Sequence, residues 1–396
     1  KMNLERSPAV SPMSDSEPRI TPIKSGFLSV LSAIVVSILL AATALAQAQR
    51  WSEQKARDWY ARQPWLIGSN YNPASAINQL EMWQADSFDP KRIDLELGWA
   101  EGLGMNTMRV FLHDLLWQDP EGFKRRLDQF LSIAAKHKIR PIFVLFDSVW
   151  DPDPKLGKQR APRPGVHNSG WVQSPGRKAL QNPSDYPRLE AYVKGVVGRF
   201  AHDQRVLAWD IWNEPDNENP GSYNELEPKN KLELVLRLLP QAFEWARAAQ
   251  PEQPLTAGVW KGDWSTSEKM TKMDRLEIDL SDVVTFHNYD SPTEFEKRII
   301  WLKRYNRPII CTEYMARGNG SFFFGGLMVG RVQHVGMINW GLVQGKTQTY
   351  LPWDSWQHPY VDREPSIWFH EVFRNNGSPY IPEEVQFIKR MTGKVK

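Results

Sequence analysis

After Arg50 the chain repeats one pattern eight times: a short apolar run, then a longer stretch with helical periodicity. The runs are WLIGSNY (65–71), NTMRVFL (106–112), RPIFVLFD (140–147), VLAWDIWN (206–213), PLTAGVW (254–260), DVVTFHNY (282–289), RPIICTEY (307–314) and GMINWGL (336–342). Between them lie amphipathic segments such as Glu121 to His137, Lys231 to Gln250 and Pro292 to Tyr305. Apolar runs of this length read as buried strands, and the intervening spacing reads as helices packed on one face. Eight such units without a linker-like break predict an α/β fold, a single (β/α)8 TIM barrel over residues 50–396. The structural rival is a doubly wound open sheet. Its dinucleotide-binding form needs a glycine-rich turn after the first strand, whereas the lone Gly-Leu-Gly at Gly102–Gly104 precedes a strand.

Residues 1–48 form a separate N-terminal segment. From Gly26 to Ala46 there is no charged residue, Lys24 stands just before the run, and Ala44-Leu45-Ala46 ends it. This is the pattern of a secretory signal sequence. Left uncleaved, the same run (26–46) is long enough to anchor the chain in a membrane. Either way the barrel is expected outside the cytoplasm, secreted or periplasmic, or membrane-anchored. A formal charge of +3 without a Lys/Arg-rich, aromatic-interleaved run argues against a nucleic-acid partner. Cys311 is the only cysteine, which excludes an intramolecular disulfide and a cysteine-built metal site.

In such a barrel the C-terminal strand ends carry the site. Here they collect Arg109 (second strand), Asn213 and Glu214 (fourth), His287 and Tyr289 (sixth), Glu313 (seventh) and Trp340 (eighth). Pro215 is expected to hold Glu214 extended at its strand's edge. Two connections are long, Ser148 to Tyr186 after the third strand and Val343 to Pro365 after the eighth, and both leave from that rim. Glu214 and Glu313 each follow an apolar run. A pair of carboxyl groups flanking one bond is what glycosidic cleavage requires, one to protonate the leaving oxygen and one to attack or to activate water.

WNEP on the fourth strand, HNY on the sixth, TEY on the seventh and the Trp of the eighth together resemble the clan of retaining glycoside hydrolases that contains the cellulase and mannanase family, family 5. The resemblance covers about residues 60 to 370. It implies Glu214 as acid/base, Glu313 as nucleophile and Asn213 as partner of the sugar 2-hydroxyl. It further implies that Arg109 and Tyr289 support the nucleophile, that His287 lines the cleavage subsite, and that Trp340 is its stacking floor. FDSVWD after the third strand and RVFLHD on the second depart from the cellulase pattern and are closer to mannanase-like members, with His113 and Asp114 taking the place of other polar substrate contacts.

The 18 tryptophans are in excess. Trp99 and Trp245 fall in helical segments and are expected in the core. Trp117, Trp150, Trp171, Trp260, Trp264, Trp353 and Trp356 fall on strand ends or rim loops, where indole faces can stack on sugar rings. Platforms on several separated loops suggest several subsites and endo action on a β-1,4-linked polysaccharide such as mannan, glucan or xylan. Exo action, with the long loops closing one end, and a non-catalytic sugar-binding barrel are the alternatives. No metal constellation is apparent, and the chemistry requires no cofactor.

Overall fold

The computed structural model describes residues 50–395; the apolar run at 26–46 lies outside them. Among the described residues no helix is long and apolar enough to cross a membrane. The eight expected strands are all present: β1 (Ile67–Asn70), β2 (Thr107–Phe111), β3 (Arg140–Asp147), β4 (Ala208–Asn213), β5 (Leu255–Thr256), β6 (Val284–His287), β7 (Ile309–Glu313) and β8 (Gly336–Trp340). All neighbours pair in parallel, in the order β5-β4-β3-β2-β1-β8-β7-β6. The two edges meet through a parallel bridge between Val259 and Phe286 and a His287 N–H to Val259 carbonyl bond of 3.0 Å. The sheet is therefore a nearly closed (β/α)8 barrel. The fifth strand is the departure from expectation, two residues rather than the seven of 254–260.

Alternation along the strands sorts core from site. Met108 and Val110 of β2 and Phe143 and Leu145 of β3 pack into the apolar shell between sheet and helices. Helices Pro120–Lys136, Tyr186–Arg199 and Lys231–Ala248 bury their apolar faces in that shell. The intervening positions face the barrel axis. Leu66, Ile142, Ala208, Ile310 and Ile338 form an inner layer with Trp51, Ala56 and Trp59, so the short helix Glu53–Ala61 plugs the N-terminal end. A second inner layer is polar, centred on Arg109. This change from apolar to charged along the axis makes one end of the barrel a plug and the other a site.

Candidate active site

Arg109, on β2, is fully buried and reaches residues of three other strands at once, β1, β4 and β7. Its Nε donates to Asp210 Oδ2 (2.9 Å), its Nη1 to Asn70 Oδ1 (2.9 Å) and Glu313 Oε1 (2.8 Å), and its Nη2 to Asn213 Oδ1 (2.8 Å). A buried cation is costly unless its donors are matched, and here two carboxylates and two amides match them. Strand parity alone would turn Glu313 outward with Ile309 and Cys311. A bulge at Thr312, where His287 pairs with Glu313 while Phe286 pairs with Cys311, re-aims it toward Arg109.

The two glutamates have unequal company. Glu313 Oε1 faces the guanidinium, and its Oε2 accepts from the Tyr289 hydroxyl at 2.7 Å. Glu214 meets no cation directly. Its Oε2 accepts from Asn217 Nδ2 at 2.7 Å, and its Oε1 lies 2.8 Å from His287 Nδ1. Burial pushes the Glu214 carboxyl up to about 7, the Asn217 bond and the Arg109 charge opposing it. Burial also raises Glu313, against the pull of Arg109 and the Tyr289 hydroxyl. Glu214, lacking an ion pair, is the one of the two that takes the proton first. His287 lies between them, with Nδ1 also 3.7 Å from Glu313 Oε2, and burial lowers its imidazole to about 4, so it is neutral. Its Nε2 is buried without a partner, so the tautomer protonated on Nδ1 leaves only an acceptor unpaired.

Glu214 departs from the extended geometry expected before a proline: its φ is 44°. The chain leaves β4 sharply there, and the bonds to Asn217 and His287 hold a side chain whose backbone is strained. Asn213 is fixed on both sides, accepting from Arg109 and donating to Asp147 Oδ1 at 2.9 Å. Asp147 also accepts from Trp171 Nε1 at 2.6 Å, and burial raises its carboxyl to about 7.

Above the glutamates opens a cavity of about 710 Å³, counting the space at its mouth. Its walls carry Trp150, Trp171, Trp260, Trp340 and Trp353 together with Asn213, Glu214, Tyr289 and Glu313. Trp340 is wedged edge-on against Phe111 (centroids 5.8 Å apart) and Trp171 (6.1 Å). Trp260 is pinned by its Nε1 bond to Asp216 Oδ1 (2.8 Å). The three residues Glu214, His287 and Glu313 offer ligand atoms within 4.8 Å of one another, a spacing a metal ion tolerates. The Arg109 guanidinium on Glu313 makes the set a poor fit for a cation, since it neutralises one carboxylate and repels a second positive charge.

Buried carboxyl groups with an arginine between strands, beneath an aromatic-walled cavity, are features that comparison with known proteins can test. Residues 102–359 match the family model Cellulase (glycosyl hydrolase family 5). The chain belongs to glycosyl hydrolase family 5. A curated relative, mannan endo-1,4-beta-mannosidase A of Emericella nidulans, is 29% identical over 91 residues, 23% of this chain and 21% of that protein, so the chain spans only about a fifth of its length. The endo-1,4-beta-mannanase of Rhizomucor miehei shares the fold with a TM-score of 0.53 at 12% identity, over 84% of this chain and 96% of that one. A beta-glucosidase designated 1317 does so with a TM-score of 0.55, also at 12% identity, over 84% and 98%.

In this family 5 chain the strand-end residues read from sequence converge, with corrections. His287 stands between the two carboxylates rather than lining the cavity, with its Nδ1 against Glu214. His113 does not line the cavity either. It is fully buried, and its Nδ1 accepts from the Leu115 N–H at 3.1 Å, capping the turn Asp114–Gln118. Asp114 is engaged with Ser174 and Arg188. Trp117 packs on Tyr192 and covers Gly195, away from the cavity. Trp264 is core: fully buried, edge-on to Phe286, with Nε1 bonded to the Lys261 carbonyl. Trp245 is core as expected, and Trp99 packs half-buried on Phe373. The residues missed are His167, Asn168, Asn217 and His370 at the cavity, and Asn70, Asp147 and Asp210 beneath it. Asp210 was legible, being an acid at an inward position of a buried strand. The loop residues carry no sequence signal, because only loop closure brings them to the site.

Proposed function

We propose that this family 5 enzyme is a retaining β-glycosidase in which Glu313 is the nucleophile and Glu214 the acid/base, acting on β-1,4-linked manno- or gluco-configured chains. The carrying observation is the unequal carboxyl pair, with oxygens of Glu214 and Glu313 within 4.8 Å of each other. That spacing suits double displacement, for which about 5 Å is typical, and leaves no room for the water an inverting enzyme places between its acids. Glu313, held by Arg109 and Tyr289, attacks the anomeric carbon as Glu214 gives its proton to the departing oxygen. Esterification removes the Glu313 charge and leaves Asp210 as the one carboxylate paired with Arg109, which lowers the affinity of Glu214 for a proton and suits it to deprotonate the incoming water. Asn213, oriented by Arg109 and Asp147, donates to the sugar 2-hydroxyl, and the ring stacks on Trp340.

Action at a chain end is favoured by the loops. The turn at 353–357 crosses the mouth: Trp356 stacks on Trp150 (5.0 Å, 18°) and meets Tyr223 edge-on, while Trp353 meets Tyr289. The connection after β3 is tied to the one after β8 by Asn168 N–H to the Thr347 carbonyl (2.8 Å), His167 Nδ1 to the Leu351 carbonyl (2.8 Å) and Tyr360 N–H to the Gly165 carbonyl (2.9 Å). Five tryptophans thus ring one cavity instead of marking out a long cleft. Endo action is the second reading, supported by the endo-mannosidase names of two relatives. Product sizing on mannan and cello-oligosaccharides separates them: one mono- or disaccharide from the first time point supports the end-on reading, and a ladder of intermediate sizes with early viscosity loss overturns it. The apolar run at 26–46 supports action outside the cytoplasm, and cell fractionation tests that.

A further inference from the structure

The chain beyond β8 returns to the cavity at Trp368–Glu371 and is held there from behind by Arg317. Its Nη1 donates to the carbonyls of Trp368 (3.1 Å) and His370 (2.6 Å), and its Nη2 to that of Glu371 (2.9 Å), while Arg317 is itself paired with Glu384 at 2.6 Å. Three carbonyls fixed on one buried guanidinium place His370 about as firmly as a strand residue. His370 is fully buried and lines the cavity, its ring 5.6 Å from that of Tyr289 and 6.0 Å from that of Trp353. Its Nδ1 lies 2.6 Å from the Met315 carbonyl oxygen. A carbonyl only accepts, so the ring proton sits on Nδ1 and Nε2 carries a bare lone pair. That Nε2 has no hydrogen-bond partner within the chain. Burial, with the His167 ring beside it, holds the imidazole well below its ordinary pKa, so it stays an acceptor at neutral pH.

We propose that His370 Nε2 accepts a hydrogen bond from one hydroxyl of a sugar bound in the cavity that Trp340, Tyr289 and His370 line, which makes His370 a specificity-determining residue of this hydrolase. The inference rests on the β-glycosidase reading above. A buried acceptor is satisfied only by a donor. A sugar lacking that hydroxyl, or turning it away, leaves Nε2 orphaned in a dry pocket and is bound less well for that reason.

The test compares two variants on a parent aryl β-glycoside and its set of monodeoxy analogues. His370→Asn keeps an amide N–H for the Met315 carbonyl but ends short of Nε2, whereas His370→Gln brings an amide oxygen close to the Nε2 position. Wild type is expected to lose about tenfold in kcat/KM on one analogue. His370→Asn should lose a similar factor on the parent and nothing further on that analogue, and His370→Gln should recover part of the loss. An Asn variant as active as wild type on the parent, or one weakened by the same factor on every analogue, overturns the assignment while the general reading stands. Absence of wild-type turnover on every β-glycoside overturns both.

Discussion

Arg109 is the residue on which the site's geometry converges, and replacing it by lysine is not conservative. An ammonium cannot serve Asp210, Asn70, Asn213 and Glu313 from one plane, so Arg109→Lys should lower kcat by about tenfold or more, with circular dichroism still native. Near-normal turnover would remove Arg109 from the site. The pH profile is a second residue-scale expectation. The acid must be protonated to act, and burial sets Glu214 at about 7, so kcat/KM should fall as pH rises through about 7. Asp147, also raised to about 7, is the competing titration; the alkaline limb should persist in Asp147→Asn and vanish for activated aryl glycosides in Glu214→Ala. Much of this was legible in sequence, because Asn213, Glu214, Tyr289 and Glu313 stand at the ends of apolar runs, Trp340 near the end of one, and Arg109 is the lone charge inside one. His113 misled for a physical reason: a polar residue one step past a strand serves the next turn's N–H groups as readily as a ligand.

At the scale of elements, periodicity located the strands and the long helices within a few residues, but it could not see the bulge at Thr312 or the shortness of β5. Both depend on pairing partners far away in the chain. The tryptophans divide by element too. Trp264 belongs to the packing around Phe286, so Trp264→Ala should cost roughly 3–5 kcal/mol of stability and leave the KM of the folded enzyme unchanged. A raised KM with unaltered melting would return Trp264 to the substrate. Trp356 belongs to the turn that crosses the mouth. Trp356→Ala removes its stack on Trp150, and the variant should gain activity on long chains relative to a short aryl glycoside. A variant that loses activity on long chains first would instead make Trp356 a platform of an open cleft.

For the whole molecule, the alternation of eight apolar runs with amphipathic segments was enough to read a barrel, because parallel strands buried on both faces need helices between them. What it could not supply is how the loops after β3, β4 and β8 meet over the cavity, since those contacts lie between segments with no periodic pattern. The molecule that results has an apolar plug at one end, a buried arginine at mid-height and a carboxyl pair beneath an aromatic ring at the other. In that pair Glu313 attacks and Glu214 assists. The most direct measurement is to trap the intermediate with a 2-deoxy-2-fluoro glycosyl fluoride of the manno or gluco series, which slows the second displacement more than the protein can compensate. The expected result is a mass gain of one fluoroglycosyl unit, mapped by peptide sequencing to Glu313 and absent from Glu313→Gln. An adduct on Glu214, or turnover of ordinary substrate with an initially inverted anomer in proton NMR, would contradict it.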